Sequence, residues 1–149
     1  MSGDLNHLYQ EIILEHSRRP RNSGTLKEVT GKASGNNPLC GDRITIYLNI
    51  DGDRIADAAF EARGCAISVA SASMMTQWLK GKTVGDAEDT LSRYHAQLTD
   101  EDPPELDPDD DLASLVGVRE FPTRIKCATL PWETLRAALL GANDDVTTE

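Results

Sequence analysis

The sequence has 149 residues, a length that suits one domain burying roughly 70% of its unfolded surface without disulfide staples. Asp+Glu number 25 against 15 Lys+Arg, and this formal net charge of -10, with no basic stripe to follow a phosphate backbone, argues against nucleic-acid binding. No run approaches the ~18 apolar residues of a membrane helix, and the opening MSGDLNHLYQ lacks the basic and apolar segments of a secretory signal, so a cytoplasmic location is expected.

In that reducing compartment the three cysteines, Cys40, Cys65 and Cys127, are thiols, ligands or core residues rather than a closed disulfide set. The excess of Asp over Glu and of Arg over Lys fits a salt-loving host.

The first element is a helix. In LNHLYQEIILEH the apolar residues Leu5, Leu8, Tyr9, Ile12 and Ile13 recur at three and four, Asp4 is an available N-cap, and Pro20 ends the run. Residues 21–39 are rich in Gly, Asn and Ser and read as an irregular crossing with a short strand near Gly31 to Ala33. RITIYLNI then alternates Ile44, Ile46, Leu48 and Ile50 against polar neighbours, DGDR turns the chain, and IADAAFEA returns, which predicts an antiparallel hairpin. Cys40, on the turn NPLCGD, stands at the mouth of its first strand.

Gly64 precedes Cys65, and AISVASASMMTQWLKG carries small and apolar residues on a helical repeat closed by Gly81. Cys65 therefore sits at the positive end of a helix, which favours its thiolate. Met74, Met75, Trp78 and Leu79 are expected to be helix core. The GKT at 81–83 follows a helix and lacks the upstream glycine of a phosphate loop. Asp86 is the expected cap of a further helix through Leu91, Tyr94 and Leu98.

TDEDPPELDPDDD, at 99–111, lacks the Gly and terminal Glu of a calcium loop and reads as a solvated acidic insertion. A last helix starts at Pro122. Pro131 cannot donate to the carbonyl of Cys127, so the helix should kink beside that thiol, or a separate helix should open there, capped by Thr129. His7 and His95 are expected on solvated helix faces, and His16 beside a helix C-terminus. The tail 142–149 is expected to be disordered. These elements give an α+β fold: a small antiparallel sheet of about three strands packed against several helices, in one domain.

If Cys40, Asp42, Cys65 and Cys127 converge, they form a four-coordinate set of three thiolates and a carboxylate. Such a set suits zinc, and sulfur-rich sites suit iron–sulfur clusters equally. Its charge with zinc would be about -2, and Arg43, Arg124 and Lys126 stand beside ligands in sequence to offset it. The opposing reading leaves the cysteines as small buried hydrophobes. Asp42, in turn, is either a ligand or an arginine partner.

NPLCGD, RGCAISVASASMMTQWLKGKT and RIKCATLPW, with the opening LYQEIILEHSRRPRNSG, resemble in order the motifs of the U-type iron–sulfur cluster assembly proteins, the IscU/SufU/NifU N-terminal family. The resemblance runs to about Leu140. Lysine before the third cysteine, here Lys126, and a lengthened interval between Cys65 and Cys127 resemble the SufU branch; the IscU scaffold branch has histidine there.

The resemblance implies that Cys40, Asp42, Cys65 and Cys127 are metal ligands around Zn(2+), and Cys40, on the turn NPLCG, the least constrained of the three cysteine frames, is the candidate sulfur acceptor. It implies a sulfurtransferase-like carrier with no small-molecule turnover of its own. Sulfur would come from a SufS-type cysteine desulfurase and go to a SufBCD-type scaffold. The alternatives are a scaffold holding a [2Fe-2S] cluster and a non-catalytic zinc-stabilised adaptor.

Overall fold

The computed structural model describes residues 11–38, 41–99, 122–140 and 146–147. The Asp4 cap, Cys40 and the acidic stretch beyond Thr99 lie outside the described residues. The elements in chain order are α1 (Glu11–Arg18), β1 (Gly31–Asn37), β2 (Asp42–Asp51), β3 (Arg54–Arg63), α2 (Ala66–Leu79), α3 (Val84–Thr99), α4 (Pro122–Leu140) and β4 (Val146–Thr147).

β1, β2 and β3 form the expected antiparallel sheet with β2 central, and the sheet order is β3-β2-β1-β4. β2 turns Asp42, Ile44, Ile46 and Leu48 inward, as the alternation required. The turn into β3 has two residues, with Gly52 at φ 64° in the first place, where a side chain would resist the left-handed backbone. A register shift at Asn49/Ile50 leaves Ala56 as an extra residue on β3. That one residue changes the parity, so Ile55 joins Ala58 and Phe60 in the core rather than facing water.

β1 is longer than the three residues expected. Gly31 explains why it fits: a Cβ there would lie 2.8 Å from the carbonyl oxygen of Ala138, so the backbone of α4 rests on β1. Of the tail expected to be disordered, Val146–Thr147 pairs in parallel with Gly35 and Asn36.

α2 lies against α1, α4 and β3, and is covered nearly all round. Met74, Met75 and Leu79 are buried core residues as expected, and Trp78 packs partly against the core with the Lys82 ammonium over its ring. The serines and threonines of α2 tie neighbouring elements to it. Ser71 donates to the Ala128 carbonyl at 2.7 Å and accepts from Trp132 Nε1 at 3.2 Å, clamping α2 to α4. The Trp132 and Tyr94 rings meet at 4.8 Å, an aromatic contact worth about 0.5–1.5 kcal/mol beyond its burial.

His16 does stand in the last turn of α1, but it is buried, with Nδ1 2.7 Å from Ser73 Oγ, so packing on α2 fixes it rather than the helix dipole. His95 is exposed, with Nε2 3.7 Å from Glu133. The cap of α3 is not Asp86 but Thr83, whose hydroxyl accepts the Asp86 N–H at 3.1 Å. α4 continues through Pro131 as one helix, with no restart at Thr129. No described helix is long and apolar enough to cross a membrane.

Candidate metal centre

Three separate elements deliver three donors to one place. Asp42 opens β2, Cys65 is the N-cap of α2, and Cys127 lies in the second turn of α4. One ligand atom from each falls within 4.8 Å of the other two. Zn–S bonds of about 2.3 Å at tetrahedral angles place sulfurs about 3.8 Å apart, so two sulfurs and an oxygen at this spacing fit a zinc ion. Asp42 is 1% exposed and Cys127 0%, while Cys65 is half-buried, so the centre has one open side.

Asp42 is aimed by its neighbours. Oδ1 accepts the Cys65 N–H at 2.9 Å, leaving Oδ2 turned to the sulfurs, 3.9 Å from Cys65 Sγ. Gly64 makes this possible. A Cβ on it would run into Oδ1 and lie 2.9 Å from Cγ. The sequence reading placed Gly64 beside Cys65 without finding this role, because the carboxylate that needs the space is 22 residues away in the chain.

Asn37 was also missed. It is fully buried at the end of β1, in register with Asp42, with Nδ2 3.8 Å from Cys127 Sγ. Once Cys127 is deprotonated, an N–H facing its sulfur spreads the charge. The only available signal was the asparagine of the NPLCGD turn.

Burial and mutual contact split the two thiols. The hydrogen bond from the Cys127 thiol brings Cys65 down to about 6, helped by the Ser68 and Ile67 N–H groups at the start of α2 and opposed by burial and Asp42. Cys127 moves the opposite way, because the bond to Cys65, burial and Asp42 all hold its proton. In metal-free protein Cys65 is then thiolate above about pH 6, and thiol below. Iodoacetamide should alkylate Cys65 well before Cys127, with a rate that rises through this pH and levels off above it. Peptide mapping showing Cys127 modified first would contradict that ordering.

The other sequence-proposed residues divide. Arg124 and Lys126 are half-buried in the first turns of α4, three and one residues before Cys127. Arg43 is not brought to the centre. It follows Asp42 on β2, so its side chain takes the opposite face of the sheet, where it is exposed.

Comparison with known proteins covers nearly the whole chain. Residues 8–141 match the model of the NifU-like N terminal domain. The zinc-dependent sulfurtransferase SufU of Bacillus subtilis is 42% identical over 134 residues, covering 90% of each chain. The iron-sulfur cluster assembly scaffold protein IscU of Streptococcus pyogenes is 39% identical over 135 residues, 91% of this chain and 84% of that one. The solved structure of FiSufU from Fervidobacterium islandicum superposes with a TM-score of 0.82 at 34% identity, covering 89% of this chain and 96% of that one.

Proposed function

The chain belongs to the family of NifU-like N-terminal domains, and within that family we propose that it is a zinc-bound sulfur carrier for iron–sulfur cluster assembly. It takes persulfide sulfur from a SufS-type cysteine desulfurase and passes it to a SufBCD-type scaffold in the cytoplasm. The observation that carries this is the convergence of Asp42, Cys65 and Cys127 from three elements onto one point.

Cys40 completes the set. It is two residues from Asp42, so the chain keeps their Cα atoms within about 7 Å. Zinc at this centre would hold its thiolates deprotonated by its charge and undergo no redox change itself.

Cys65 and Cys127 are anchored by helices and are the retained ligands; Cys40, which lies in sequence between β1 and β2, is the acceptor. Its thiolate attacks the terminal sulfur of the partner's persulfide. A new S–S bond forms at Cys40 Sγ, and the partner's S–S bond breaks. The electron pair leaves on the partner's cysteine, the persulfide proton travels with the moved sulfur, and there is no net oxidation. Arg124 and Lys126 offset the centre's negative charge. Lys126 supports the carrier over the scaffold, since a protonated lysine offers no lone pair to a cluster iron.

The test is thiol mapping after incubation with the desulfurase and cysteine. A persulfide on Cys40 of colourless, zinc-containing protein is the expected result. Brown protein with bound sulfide would make it a scaffold, and zinc-loaded protein that never acquires a persulfide would make it an adaptor.

A further inference from the structure

The sheet face turned away from the core holds a charge arrangement that the metal centre does not use. Arg43 on β2 and Arg63 on β3 are register partners, both exposed. Like charges directly opposite each other destabilise a strand pair. A chain with 25 acidic residues has many candidates for a counter-ion. Yet among the described residues neither guanidinium has a hydrogen-bond or ion-pair partner. The carboxylate nearest in the register, Glu61, is held by the Tyr47 hydroxyl. The arginines line a groove of about 310 Å³ together with Thr45, Glu61 and Ala62.

Position gives the pair its meaning. Arg43 directly follows Asp42, and Arg63 is separated from Cys65 only by Gly64. Both therefore stand at the end of the sheet that carries Asp42 and leads into Cys65, with their side chains on the face opposite the Asp42 carboxylate. The chain as a whole has a formal net charge of -10, so an acidic partner meets net repulsion that this local pair of positive charges offsets.

We propose that Arg43 and Arg63 dock an acidic segment of the protein that donates sulfur to Cys40, an inference that rests on the carrier function above. Paired guanidiniums take carboxylates in bidentate fashion and so orient the segment as well as attract it. A carboxylate-bearing protein segment fits better than a free anion, because two exposed side chains hold an isolated ion weakly, whereas a wider interface supplies the remaining affinity. The pair thus sets where the donor lands, and the metal centre sets what happens next.

The experiment measures binding of the host's purified, fluorescently labelled cysteine desulfurase to zinc-loaded protein by anisotropy, at low and at physiological salt. The variants are Arg43→Glu/Arg63→Glu and Arg43→Gln/Arg63→Gln. Charge reversal should weaken binding about tenfold or more, and neutralisation less, both with a shallower salt dependence than the wild type and unchanged zinc content. Unchanged affinity and salt dependence in a zinc-retaining double reversal would overturn the proposal. So would inorganic sulfate bound by the wild type alone with the desulfurase unaffected, or an effect confined to self-association.

Because the readout is binding, the two ideas separate. Wild-type protein that binds the desulfurase through the arginines but never carries a persulfide removes the carrier function and leaves the docking site. Normal persulfide formation with binding indifferent to both variants removes only the docking site.

Discussion

Cys40→Ser protein is expected to lose stimulation of the desulfurase down to background, the largest functional effect of any single substitution here. A serine hydroxyl is not ionised near neutral pH and cannot displace a cysteine from a persulfide, so the loss is one of chemistry and not of docking. Cys65 and Cys127 stay in place on α2 and α4, and Asp42 keeps its bond from the Cys65 N–H. Binding to the desulfurase through Arg43 and Arg63 should therefore persist. A Cys40→Ser protein that holds zinc and still accepts sulfur would refute the assignment of Cys40 as acceptor.

Gly64→Ala should have the largest effect among substitutions that remove no ligand. The added methyl group collides with Asp42 Oδ1 on β2 and crowds Ser68 Oγ on α2 at 3.0 Å, where the link from β3 to α2 passes between them. Relief requires Asp42 to turn away, breaking its bond from the Cys65 N–H, or the start of α2 to shift and carry Cys65 with it. Overpacking of this kind costs about 1–3 kcal/mol, and loss of bound metal adds to it. The expected result is substoichiometric zinc in purified protein and a melting temperature lowered by several degrees. Full zinc content with an unchanged melting temperature would show that the carboxylate does not need this space.

Much of the fold could be read from periodicity, because each long element has a buried side that imposes it. The alternation of Ile44, Ile46 and Leu48 and the spacing of Leu91, Tyr94 and Leu98 correspond to residues that are buried. What could not be read depends on contacts between distant segments. β1 has no strand-like sequence, and its seven residues are a strand because β2 pairs with them and α4 rests on Gly31. The register shift that turns Ile55 inward leaves no mark on composition. Thr83 displaced Asp86 as the cap of α3 because helices of this kind accept either hydroxyl or carboxylate, and the start lay three residues earlier.

The candidate site divides in the same way. Cys65, Cys127 and Asp42 stood out as residue types able to bind a metal, and the family motifs supplied the reason to group them. Their meeting is a property of the packing: Ser71 clamps α2 to α4, and Gly64 admits the Asp42 carboxylate. Arg43 shows the opposite error. Adjacency to a ligand in a strand puts a side chain on the wrong face, so nearness in sequence predicted an electrostatic role at the centre where the pleat forbids it. Arg124 escapes that objection because positions three apart share a helix face, whereas Lys126, next to Cys127, points about 100° round the helix from it.

Zinc K-edge X-ray absorption of the purified protein tests the central claim most directly. Convergence of the three cysteines with Asp42 on one ion predicts near-stoichiometric zinc with three sulfur neighbours at about 2.3 Å and one oxygen at about 2.0–2.2 Å. Zinc without sulfur neighbours, or bound just as fully after Cys65 and Cys127 are both replaced by alanine, would contradict it.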